Sequence, residues 1–77
     1  MARRTIKDVR FYVDLLNDKL QELNIDAMYN VTRFNGTLTL NQHKADGTGL
    51  RWQRCGLSTK EMYEVVYNMY EMLARNF

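Results

Sequence analysis

The dipeptide Asn35-Gly36 stands between two runs of alternating polarity, Tyr29 to Phe34 and Thr37 to Gln42. The tightest hairpin loop needs positive φ at both of its residues, and Asn followed by Gly tolerates this better than almost any other pair, so a β-hairpin is expected here. The loop also sets the register. Phe34 must oppose Thr37, Arg33 must oppose Leu38, Thr32 must oppose Thr39, and Val31 must oppose Leu40. Alternation then assigns the faces: Tyr29, Val31, Leu38 and Leu40 share one, while Asn30, Thr32, Phe34, Thr37, Thr39 and Asn41 share the other. The first is the face that other elements must cover.

The covering elements are written on either side of the hairpin. Over residues 5 to 24, Ile6, Val9, Val13, Leu16, Leu20 and Leu23 recur at alternating spacings of three and four, which lays them along one helix face. Thr5 can cap this helix with Asp8 as the returning acid, and Asn24 can stop it. The second helix opens at Ser58-Thr59-Lys60-Glu61, a capping box, and runs to about Asn76 with Met62, Val66, Met69, Leu73 and Phe77 on its apolar face. Ala45 to Gly49 reads as a turn, after which Leu50 to Cys55 gives a third short strand with Leu50 and Trp52 facing inward and Gly56 ending the sheet. The expected fold class is therefore α+β, in the order α-β-β-β-α, a three-stranded antiparallel sheet with both helices on one face.

A chain of 77 residues has room for one domain, residues 1–77, with residues 1–4 expected as a disordered basic tail. One cysteine cannot close an internal disulfide, and one histidine cannot complete a zinc site, so the small core has no covalent or metal staple. Self-association is the remaining way to add buried surface. No apolar run is long enough to span a membrane, and Met1-Ala2-Arg3-Arg4 is not followed by the apolar stretch of a secretory signal, which leads to the expectation of a cytoplasmic protein with no membrane partner. The net charge of +2 is patchy. Arg3, Arg4, Lys7 and Arg10 stand against Asp8 alone, and Arg33, Lys44, Arg51 and Arg54 stand against Asp46 alone.

Catalytic chemistry finds little purchase. His43 and Cys55 have no neighbour in sequence that makes a nucleophile and base recognisable, and they read as a solvated turn residue and a strand-end packing residue. Asp14 and Asp18 lie four apart on a solvated helix face, and Asp46-Gly47-Thr48-Gly49 lacks the Lys and the following helix of a phosphate loop. No enzyme activity, cofactor, metal or small-molecule substrate is expected.

Two surfaces carry more. The outer sheet face is polar and weakly basic with one aromatic, Phe34, and together with the two basic clusters it suggests a nucleic-acid surface built from Arg3, Arg4, Lys7, Arg10, Arg33, Phe34, Lys44, Arg51 and Arg54. A single aromatic is a thin stacking platform, so a plain solvated face is the better reading. The helices show a sharper anomaly. On a wheel of 100° per residue, Phe11 and Leu15 fall about 120° to 160° away from the core stripe and form one apolar spot. On the second helix, Tyr63, Tyr67 and Tyr70 form an extra stripe beside the core positions, a composition common at contact surfaces.

The order α-β-β-β-α, with a glycine and Ser58-Thr59-Lys60 before the last helix, resembles the double-stranded-RNA-binding domain over residues 5 to 75. That likeness implies the fold and not the grip on RNA. Where the family carries a lysine cluster, this chain has Lys60 followed by Glu61, and its first hairpin loop is only Asn35-Gly36. The run Gly56-Leu57-Ser58-Thr59-Lys60-Glu61-Met62-Tyr63 is also similar to the ending of many small phage- and prophage-encoded proteins, which implies a small binding module. The function expected is protein-protein contact without catalysis, by self-association as a homo-oligomer or on a host protein, with Phe11, Leu15, Tyr63 and Tyr67 as contacts. Nucleic-acid binding is the alternative.

Overall fold

The computed structural model describes residues 5–76 and has the expected order: α1 (Ile6–Glu22), β1 (Met28–Phe34), β2 (Thr37–His43), β3 (Leu50–Leu57) and α2 (Thr59–Asn76). The four residues expected as a basic tail lie outside the described residues, as does Phe77. The strands form one antiparallel sheet in the order β1-β2-β3. The hairpin register is the one that Asn35-Gly36 dictates, with Phe34 paired to Thr37 and Val31 to Leu40. Both loop residues have positive φ, 50° at Asn35 and 78° at Gly36.

The helix ends follow local chemistry. At the start of α1 the Asp8 N–H donates to Thr5 Oγ1 and the Thr5 N–H donates to Asp8 Oδ2, which closes a capping box. At its end Asn24 takes φ 58°, while the Asn24 N–H bonds the Gln21 carbonyl and the Ile25 N–H bonds the Leu20 carbonyl. This pair of bonds satisfies the last carbonyls of the helix and turns the chain toward β1. The Ser58–Glu61 box at the start of α2 is formed in both directions, at 3.0 and 3.1 Å.

The core lies between the helices and one sheet face. It is built from Val9, Val13, Leu16 and Leu20 of α1, Leu38 and Leu40 of β2, Leu57, and Met62 and Val66 of α2. Tyr12 of α1 meets Tyr63 and Tyr67 of α2, and Leu20 shares a groove with Leu73, so the two helices run in the same direction.

Strand β3 departs from the sequence expectation in three respects. Leu50 and Trp52 are exposed, at 54% and 44%, rather than buried inward. The register carries two irregularities, and at each β3 holds one residue more than β2: Arg51 is extra beside Gln42 and His43, and Cys55 with Gly56 faces Thr39 alone. Trp52 opposes Gln42 and so points to the helix side, but of this strand only Leu57 enters the core. Gly56 does not end the sheet. It sits in the second bulge with φ 76°, and the strand continues to the buried Leu57.

On the far side of the sheet the polar residues pair with one another. The Asn41 side-chain amide donates to Asn30 Oδ1 at 2.8 Å, and the Gln53 amide donates to Asn41 Oδ1 at 2.9 Å. A chain of amides thus crosses all three strands. Asn41 and Thr39 are only 6% and 8% exposed although no helix covers this face. Part of what reads as a solvated surface is therefore a closed polar layer.

Candidate protein-interaction surface

The apolar surplus on the helices resolves into an aromatic cluster on their outer side. Tyr12 is its hub. Its ring meets Tyr63 at 5.4 Å, Tyr67 at 5.2 Å and Tyr70 at 6.1 Å in edge-to-face geometry, while Tyr63 and Tyr67 stack with 10° between their planes. Such ring pairs add roughly 0.5 to 1.5 kcal/mol beyond the area they bury. Tyr63 and Tyr67 are half-buried, and so part of the tyrosine stripe serves to hold α2 against α1. The Tyr67 hydroxyl donates to Glu71 Oε1 at 2.7 Å, and that bond together with the Glu71 charge raises the Tyr67 pKa above its ordinary 10.0.

Phe11 completes the cluster from outside. Its ring meets Tyr12 edge-on at 5.3 Å, yet 58% of the residue is exposed. Leu15, one turn further along α1, is half-buried beside it. The structure therefore brings Phe11, Leu15, Tyr63 and Tyr67 to one side of the molecule, with Tyr12 joining the two pairs. Comparison of this chain with protein-family models, curated proteins and solved structures gives no match.

The residues of the nucleic-acid reading come from α1, from strands β1 and β3 and from the turn after β2. Lys7 lies on the outer side of α1, whereas Arg10 lines the groove between α1 and β1 with Asn17 and Val31. Arg33 opposes Leu38 near the hairpin loop, and Lys44 follows the other end of β2. Phe34, 71% exposed, stands beside the loop on the opposite sheet face from Arg33. Arg51 is held in place: Nη1 donates to the Asp26 carbonyl at 2.7 Å and Nη2 to the Asp26 carboxylate at 3.0 Å. Arg54 opposes Leu40, and its charge helps to lower the Glu61 pKa. Arg3 and Arg4 lie outside the described residues.

Cys55 is exposed rather than packed at a strand end, and His43 ends β2 rather than standing in a solvated turn, with its Nδ1 buried and without a hydrogen-bond partner among the described residues. Among those residues no group of three His, Cys, Asp or Glu is placed to hold a metal ion.

Sequence reasoning missed Tyr12, and the signal for it was present. Tyr12 follows Val9 by three and precedes Leu16 by four, which puts it on the flank of the core stripe facing a neighbouring helix. It also missed an open apolar groove of about 340 Å³ between the ends of the two helices, where Leu20, Ile25, Met69 and Leu73 stand over Tyr29 and Gln42. The Gln42 amide donates to the Tyr29 hydroxyl at 2.6 Å in the floor of that groove.

Proposed function

We propose that this chain is a protein-binding module without catalytic activity, and that it makes contact through the outer side of its two helices. One observation carries the reading: Phe11 is 58% exposed while its ring is fixed against Tyr12, so a large apolar side chain is held out in a defined position. Covering the part of Phe11 that is still exposed contributes roughly 1 to 2 kcal/mol, a share of what an interface anchor supplies. The tyrosines around it supply further apolar area with few rotatable bonds, which keeps the entropy cost of contact low. Phage or mobile-element origin belongs to the same proposal and rests only on the likeness of the last helix to small phage-encoded proteins.

The test is a photo-crosslinking phenylalanine analogue at position 11, illuminated in the producing cells, with position 46 in the distal turn as the control. Protein adducts at position 11 that are absent at position 46 are expected. Equal labelling at the two positions, or none at either, would overturn the proposal.

A further inference from the structure

The charges that flank Phe11 bear on which partner it would meet. On the helical wheel Lys7, Leu15, Asp18 and Glu22 all fall within about 40° of Phe11, so they share its side of α1. Lys7, Asp18 and Glu22 are exposed. At 1.5 Å per residue, Lys7 lies about 9 Å before the midpoint of Phe11 and Leu15, and Asp18 lies about 8 Å beyond it. The stripe therefore reads basic, apolar, acidic, with nearly equal arms.

A surface with equal and opposite arms complements itself under a two-fold rotation. We propose that the partner on this face is a second copy of the chain, with the two α1 helices antiparallel across a two-fold axis near Phe11 and Leu15. Phe11 of each copy then packs beside Leu15 of the other, and Lys7 of each faces Asp18 of the other, with Glu22 one turn beyond. Parallel packing would instead set Lys7 against Lys7 and Asp18 against Asp18. An isologous contact of this kind closes at two subunits. The molecule is a slab of 34 by 28 by 15 Å between Cα extremes, so its broad face has the dimensions of a standard interface of about 800 Å² per partner. This inference rests on the contact surface proposed above and adds the occupant and its orientation.

The experiment is sedimentation velocity at low salt on the full chain, on Lys7→Glu, on Asp18→Lys, and on an equimolar mixture of the two variants. Circular dichroism confirms that each is folded. Wild type is expected to dimerise, and each variant alone to associate about tenfold more weakly, because two exposed ion pairs become two like-charge pairs. The mixture is expected to recover wild-type dimerisation, since both cross-contacts between unlike variants are attractive. A wild type that stays monomeric at several hundred micromolar, or a mixture no better than its components, would overturn the inference. Adducts of position 11 with a different protein, found alongside a monomeric wild type, would leave the contact surface standing and remove the second copy.

Discussion

Asn17 sits on α1 with its amide directed at the backbone of another element. Its Nδ2 donates to the Tyr29 carbonyl at 2.8 Å, and the Tyr29 N–H donates to its Oδ1 at 2.7 Å. Strand β1 is a sheet edge, and this one side chain supplies at Tyr29 the pair of bonds that a further strand would have made. Asn17→Ala leaves both backbone groups of a half-buried residue without their partner. A loss of about 1 to 3 kcal/mol is expected, read from the midpoint of urea unfolding. Asn17→Asp keeps the acceptor and loses the donor, so its loss should be smaller at low pH than at neutral pH. Nothing in the sequence reveals this contact, because a polar residue one step off an apolar stripe looks the same whether it meets solvent or a strand edge. The amide chain from Asn30 through Asn41 to Gln53 was hidden for the same reason, although the register placed Asn30 opposite Asn41.

Elements whose structure is decided within a few residues were legible before any tertiary contact was known. The capping boxes, the Asn35-Gly36 loop and the helix stripes each rest on neighbours in sequence. The box at α2 gives a pH test. The Ser58 N–H and then the Ser58 hydroxyl bond the Glu61 carboxylate, holding its pKa below the ordinary 4.5. A carboxylate depressed on folding contributes stability that is present above its unfolded pKa and is lost as the pH falls through the folded value. Glu61→Gln can still cap but cannot titrate there. Its melting temperature should fall less than that of the wild type between pH 5 and pH 3, with a remaining decline from Asp26 and Asp46, whose pKa values are also lowered by hydrogen bonds. Strand β3 was less legible because its two bulges depend on pairing with β2, and a single extra residue resets the alternation. Gly56 is the residue that permits the second bulge. A Cβ there would meet no atom within 4 Å, so Gly56→Ala is opposed by backbone conformation alone. A loss of about 1 kcal/mol is expected from the positive φ, measured by denaturant unfolding with no change in the m-value.

At the scale of the whole molecule, the slab has two unlike faces, and they argue differently about partners. The centre of the sheet face is closed by its own amide chain, with Phe34 exposed beside the hairpin loop, while the helical face holds an exposed Phe over an aromatic cluster. The surplus of apolar helix residues was legible in the sequence, but its division between packing and exposure was not. That division depends on the parallel run of α1 and α2, which sets Tyr12 among the three tyrosines of α2 and leaves Phe11 outside. The same geometry bears on nucleic acid. Polyanion binding needs cations aligned along one track, so that several phosphates are neutralised together. Here Arg33 and Lys44 stand at opposite ends of the β1-β2 hairpin, Arg51 is engaged by Asp26, and Arg54 stands within the field of Glu61, so the described cations do not form one continuous track. Titration of labelled single- and double-stranded 20-mers at about 50 mM salt should therefore show binding weaker than the 10⁻⁴ to 10⁻⁶ M typical of non-specific association. Tight binding with a steep salt dependence would refute this. The proposed helix dimer predicts a milder response to salt, because its apolar centre would be insensitive to screening and only its flanking pairs would be exposed.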